Sequence, residues 1–280
     1  MAADWDALDA ELDRAPGTVS VYVGRPGAPA SYTRRVAVPH DAASTMKVGI
    51  LVAAYRAGDR GGLDLDAPVE VVNDFPSALG DGSRYADDRG YDDEAQVWTR
   101  LGERVPLRWL ARRMIVGSSN LATNIVLQHV GLPAVAEVWK LCGALTSVTR
   151  RGIEDYGARD AGLDNLVTVD DLAALFNTIE LRTAAAAASC AEMLDVLAAQ
   201  EHRVDLARGV PDGVRVAHKN GWIPGARHSA GLVYPPDAPT YVVSVCTSAD
   251  GDPADYDDAA ACALIARVSA VAWSARHSTL

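Results

Sequence analysis

Apolar positions along this chain keep a helical period through its middle and a strand period near both ends. Trp5, Leu8 and Leu12 fall at i, i+3 and i+7 and stop before Pro16 and Gly17, which predicts a short amphipathic helix. Residues 18–23 alternate and are rich in β-branched side chains, the pattern of a strand. A turn over residues 24–27 and a return over residues 31–38 complete an expected hairpin. The run 48–55 is almost wholly apolar and predicts a helix that begins at Ser44 and lasts to about Gly58.

Further along, Leu107, Leu110, Ala111 and Met114 form one helical stripe behind Pro106, a residue suited to a first turn. Residues 117–120 interrupt the pattern, and a second helix resumes through Ile125 and Val126. Val135, Val138, Trp139 and Cys142 make a third stripe. Thr168 and Asp171 have the spacing of a capping box ahead of Leu172, Leu175, Phe176 and Ile179. Ser189 and Glu192 repeat that spacing before Met193, Val196 and Leu197. Beyond Pro211 the period changes: residues 214–220, 229–234 and 240–247 read as short strands between glycine and proline turns. A last helix is expected from about Ala254, carrying Leu264, Ile265, Val268 and Val271.

Strands at both ends and helices between them imply a mixed α/β (α+β) fold. The expected architecture is a single domain over residues 1–280 with two lobes. Residues 1–40 and 212–280 would build an α/β lobe around an antiparallel sheet with terminal helices, and residues 41–211 an inserted all-helical lobe. A site would lie in the cleft between them. With 49% hydrophobic and 22% charged residues, the composition is that of an ordinary globular protein. The net charge of −11 and the scattered basic doublets argue against nucleic acid or an anionic membrane as partner. No uninterrupted apolar run approaches the roughly 18 residues of a bilayer span. The acidic start of the chain lacks the basic and apolar regions of a secretory leader, so the expected location is the cytoplasm.

Residues 81–94 are polar, acidic and punctuated by glycine, and read as a solvated surface loop or, less simply, a substrate lid. Their aspartates lack the glycine and glutamate spacing of a calcium loop, and neither a metal nor another cofactor is expected. Cys142, Cys190, Cys246 and Cys262 show no paired spacing and read as reduced, buried residues. Among 26 basic residues only Lys47, Lys140 and Lys219 are lysines. Arginine stays charged at any working pH and cannot accept a proton, so a lysine kept in an arginine-rich chain is a candidate for proton chemistry.

Lys47 follows Ser44 by three residues, one turn along the same helical face. A serine hydroxyl needs a neighbouring base, and a lysine serves as one when burial lowers its pKa. An N-capping serine followed by a solvated lysine would have the same spacing. Two more segments add to the picture: Ser118-Ser119-Asn120, and His218-Lys219-Asn220-Gly221. Each alone could be structural, as turn residues or as an edge-strand charge.

Together, in this order, the three segments resemble the Ser-x-x-Lys, Ser-Asp-Asn and Lys-Thr-Gly elements of class A β-lactamases and penicillin-binding proteins. The likeness runs from the first strand to the last helix and implies a bacterial hydrolase with the β-lactamase-like two-lobed fold. It implies that Ser44 forms an acyl-enzyme, with Lys47 as base or proton relay and Ser118 passing a proton to the leaving group. Asn120 would bind a substrate amide and orient Lys47, and Lys219 would attract a substrate carboxylate. Asn220 and Gly221 would line the substrate, the backbone N–H groups of Ser44 and Trp222 would form the oxyanion hole, and Asn124 would brace the loop below.

Ser119 replaces the motif aspartate, and Asn220 replaces the hydroxyl residue after the lysine. The interval from Ser44 to Ser118 is long, with the acidic loop carrying the excess. The Glu-x-x-x-Asn segment that supplies the deacylating base is not reproduced. Glu154 lies in its region, but Ala158 stands four residues later and Ala161 four residues before Asn165. The resemblance implies a small carbonyl substrate, an amide, lactam or ester, with or without a carboxylate. A genuine β-lactamase and a non-catalytic binding protein on the same fold are the other readings.

Overall fold

A computed structural model describes residues 5–277. Helix α1 (Trp5–Leu12) leads into β1 (Thr18–Gly24) and β2 (Ala30–Arg34). The helices α2 (Lys47–Asp59), α3 (Leu107–Val116), α4 (Asn120–Val130), α5 (Leu132–Leu141), α6 (Val169–Glu180) and α7 (Ala187–Ala198) follow, separated by short turns and two- or three-residue ladders. Strands β3 (Arg215–Ile223), β4 (Ala226–Tyr234) and β5 (Tyr241–Ser248) precede α8 (Asp258–Ala275). The five strands form one antiparallel sheet in the order β2-β1-β5-β4-β3. First and last strands thus meet at its centre, Val21 opposite Val245.

The strand alternation sorts the side chains between two cores. Val19, Val21, Val23, Val243 and Val245 pack with Leu8, Leu12, Ile265 and Val268 from α1 and α8. On the other face Tyr22, Ala230, Leu232 and Val242 join the helical core. At the centre of that core, α2 is buried from Lys47 to Tyr55 without a break. Each fully buried Ile, Leu or Val side chain there contributes about 1.5–3 kcal/mol. The same dry surroundings make an ammonium at the head of the helix costly.

Several expectations shift in the folded chain. The second hairpin strand ends at Arg34, because Arg35 turns the chain at φ +46°. Thr168 caps α6 through Asp171 N at 3.1 Å, but the Asp171 carboxylate is spent on the N–H groups of Leu145, Thr146 and Ser147. Only half of the capping box forms. The Ser189–Glu192 box does not form: α7 already starts at Ala187, and Ser189 Oγ donates to Asp59 at 2.6 Å. Glu192 accepts instead from Arg108 and Tyr55. The last helix starts at Asp258, capped by Asp257, after a single 3₁₀ turn over Pro253–Asp255.

By length and composition α8 is apolar enough to cross a membrane, which the uninterrupted-run reading missed. Its buried positions, Ile265, Val268, Val271 and Ala272 among them, face the sheet as those of a core helix do. Cys190, Cys246 and Cys262 are buried, Cys142 is half-buried, and all four are free thiols.

Candidate active site

Ser44 lies in a 3₁₀ turn, Ala43–Met46, that runs directly into α2. Side chains at i and i+3 eclipse in such a turn, so Ser44 and Lys47 share a face more closely than α-helical geometry would place them. Ala43 enters the turn at φ +43°, held by its N–H on Asp41 Oδ1 at 3.0 Å. Lys47 is fully buried. Its Nζ donates to the backbone oxygen of Ser118 at 2.7 Å and to Asn120 Oδ1 at 2.9 Å, and lies 3.3 Å from Ser118 Oγ.

Ser118 sits at the gap between α3 and α4, in the left-handed region at φ +60°. Ala43, Ser118 and Glu154 are three of the five non-glycine residues with positive φ among those described, and all three flank this site. Backbone strain of this kind is held in place only where surrounding structure over-determines it. Asn120 opens α4, and its N-cap is Ser119, whose Oγ accepts from Ala122 N at 3.0 Å.

Strand β3 brings the third segment across the cleft. Lys219 is fully buried, and its Nζ donates to Ser118 Oγ at 3.0 Å and to the Asn220 backbone oxygen at 2.7 Å. A Cβ on Gly221 would stand 2.7 Å from Ser44 N, so the strand can pass this close only with glycine there. Trp222 lines the cleft beside Ser44, Ser118 and Asn120, in a cavity of about 410 Å³.

Asn220, expected at the substrate, is fully buried with its amide committed elsewhere. Its Nδ2 donates to His202 O at 3.0 Å and to Asp205 Oδ2 at 3.1 Å. His218 is likewise buried on β3, and desolvation lowers its pKa to about 4.

Most of the acidic loop is exposed, as expected of a surface loop, but three of its carboxylates are not. Asp87, Asp92 and Glu94 are buried, and Glu94 pairs with Arg113 of α3. Glu154 is buried too, accepting from Asp88 N at 2.9 Å through Oε2, with the Asn120 side chain beside it. Asn124 ties both loops to α4: its Nδ2 donates to Asp87 Oδ1 at 2.7 Å and to Ile153 O at 2.9 Å, and its Oδ1 accepts from Ile153 N. Asn165 clasps the base of the second loop through the backbone of Arg150 and Arg151.

Residues 5–275 match the model of the β-lactamase enzyme family. The chain belongs to that family. It is therefore a serine hydrolase working through an acyl-enzyme. A β-lactamase from Sphaerobacter thermophilus DSM 20745 is similar at 26% identity and TM-score 0.82, with 98% of each chain covered. PBP-A, at 22% identity and TM-score 0.80 over 96% of this chain and 94% of that one, shares the fold. So does the class A β-lactamase of the last common ancestor of Gram-negative bacteria. It matches at 21% identity and TM-score 0.81 over 99% of this chain and 100% of that one. No curated protein sequence matches the chain.

Within this β-lactamase-family site the electrostatics are set by burial. Desolvation lowers the Lys47 pKa to about 8, against the upward pull of Asp92, Asp87, Asp93 and Glu154. Lys219 is held well below the usual lysine range by desolvation and then by Lys47. Asp87 is pushed up to about 8, chiefly by burial and then by Glu154, and burial also raises Glu154. Among the described residues no cluster of metal-ligating side chains forms. Asp87, Asp92 and Tyr91, which lines the cleft and whose backbone oxygen accepts from Asn120 Nδ2 at 3.2 Å, were not singled out from the sequence. They sit in a tract whose polarity signals solvent, and only the long Ser44–Ser118 interval hinted that it does more.

Proposed function

We propose that Ser44 is the nucleophile and Lys47 its base, acting on a small amide, lactam or ester. The observation that carries this reading is Lys47: fully buried at the head of an apolar helix, one 3₁₀ turn after Ser44. A lysine there loses its proton far more readily than one in water. Ser118, touched by both lysines, passes a proton to the leaving nitrogen or oxygen. Asn120 orients Lys47 through Oδ1, and the N–H groups of Ser44 and Trp222 receive the developing oxyanion. Glu154 activates the water that resolves the acyl-enzyme, and Asn124 holds its loop. The protein that is 26% identical carries the name β-lactamase, which makes lactams the first substrates to try.

A substrate carboxylate is less well served. The Asn220 amide is occupied, the Arg227 guanidinium is paired with Asp205 and Asp258, and Asp93 and Asp258 line the cleft. The substrate is thus a carbonyl compound that does not depend on an anchored carboxylate. The deciding experiment is intact-protein mass spectrometry after exposure to a panel of lactams, activated amides and esters, with the adduct mapped by digestion. An adduct on Ser44 is expected. Turnover with an adduct on another residue would overturn the assignment.

A further inference from the structure

The motif carboxylate missing at Ser119 has a counterpart elsewhere in space. Asp92, buried in the acidic loop, directs Oδ2 at the corner that opens α4. That oxygen accepts from Ser119 Oγ at 3.1 Å, from Asn120 N at 3.0 Å, from Leu121 N at 3.0 Å and from Trp98 Nε1 at 2.9 Å. The other oxygen, Oδ1, accepts from Glu94 N at 3.1 Å and so fixes the carboxylate to its own loop. Two of the four Oδ2 donors are unpaired first-turn N–H groups of a helix, where a negative charge is favourable.

We propose that Asp92 is a positioning residue that supplies, from a segment 27 positions upstream, the carboxylate that residue 119 lacks, and so holds the Ser118–Asn120 corner on which Lys47 is seated. A serine at 119 leaves room for the visiting carboxylate and donates to it. The chain beyond the corner follows directly: Asn120 N rests on Asp92, and Asn120 Oδ1 takes Lys47 Nζ. That task explains why Asp92 is buried in a loop that is otherwise mostly exposed. The loop closes over α4 and fixes the nucleophile's base.

Asp92 also faces Lys47 electrostatically, together with Asp87, Asp93 and Glu154 from the two loops and with Lys219 from β3. Removing its charge therefore eases loss of the Lys47 proton, an effect that disordering of the corner alone would not give.

The proposal rests on the assignment of Lys47 as base for its kinetic consequence, but not for its electrostatic one. The chain has three lysines, and Lys140 is exposed, so lysine labelled with ¹³C at Cε gives a spectrum in which Lys47 can be followed by titration. Asp92→Asn should move the Lys47 titration down by about half a pH unit or more. It should also lower kcat/KM by about 10- to 100-fold, the scale of losing charge-assisted hydrogen bonds, mostly through kcat. In the exchanged variant Asp92→Ser/Ser119→Asp the carboxylate returns to the helix start from position 119. This variant should recover most of the activity that Asp92→Ser alone loses.

An unmoved Lys47 titration in folded Asp92→Asn overturns the proposal, as does an exchanged variant no more active than Asp92→Ser. Should Asp92→Asn fail to fold, the exchanged pair still decides. A folded chain with Lys47 titrating as in the parent supports the proposal, and an unfolded one overturns it. A Lys47 shift without any kinetic change would support the positioning role and count against Lys47 as the base.

Discussion

The hydroxyl of Ser118 accepts a hydrogen bond from Lys219 Nζ at 3.0 Å. Lys47 Nζ approaches the same oxygen at 3.3 Å, so one serine joins the two buried lysines of the chain. Two ammonium groups sharing one oxygen in a dry site repel, and the cheapest relief is loss of a proton. The cluster is therefore arranged to hold a neutral amine near Ser44, which a general base requires.

Ser44→Ala is expected to abolish turnover of any ester or lactam the parent hydrolyses, by several powers of ten. The side chain is small and only half-buried, so the variant should unfold at a temperature close to that of the parent. Steady-state kinetics beside a thermal melt checks both halves. Near-parental activity would remove Ser44 from the mechanism.

Lys47 sets the expected pH dependence. With its pKa lowered to about 8, the neutral form gains population as pH rises through that value, so kcat/KM should climb from about pH 6.5 and level off above about 9. Lys47→Arg should be nearly as inactive as Lys47→Ala, since guanidinium keeps its proton throughout this range. A pH series on the parent and both variants is the measurement. An active arginine variant would make residue 47 a charge and not a base.

Glu154 is buried beside Asn120, and among the described residues its Oε1 accepts no hydrogen bond. Glu154→Gln should slow deacylation by about 10² to 10⁴ while sparing acylation, so the Ser44 adduct accumulates. Rapid-quench mass spectrometry with a penicillin or a cephalosporin follows adduct and product together. If the adduct already accumulates in the parent and does not change in the variant, the deacylating base lies elsewhere.

The cleft's polarity predicts selectivity. Between two esters alike except for a carboxylate or a neutral amide at the position facing Trp222, the neutral one should have the higher kcat/KM. Asp93→Asn should narrow the gap by about threefold or more, as expected for one screened charge at the rim. A strong preference for the carboxylate ester in the parent would show that Lys219 recruits it despite its burial.

Much of this fold follows from period alone. The strand alternation at both ends, the stripe on α3 and the unbroken apolar length of α2 are local patterns, and each predicted element formed within a few residues. The candidate site residues Ser44, Lys47, Ser118, Asn120 and Lys219 could be picked out because the chemistry proposed for them is tied to short spacings: a turn, a helix start, a strand. What those spacings do not contain is burial. A tract such as residues 81–94 looks solvated because aspartate and glycine usually are. Most of it is, but Asp87, Asp92 and Glu94 become interior when Asn124, Arg113 and the N–H groups of α4 arrive from other segments to satisfy them.

The same distinction separates Asn220 from its motif and Asp92 from anonymity. The residue type at 220 was visible, but its partners, His202 and Asp205, are not sequence neighbours. The carboxylate absent at 119 could not be sought at 92 without knowing that the loop folds back on α4. Sequence by itself determined which side chains can do proton chemistry and which elements carry them. Tertiary structure alone decided which are dried, which are paired and which face each other, because desolvation and hydrogen bonding depend on distance in space and not along the chain.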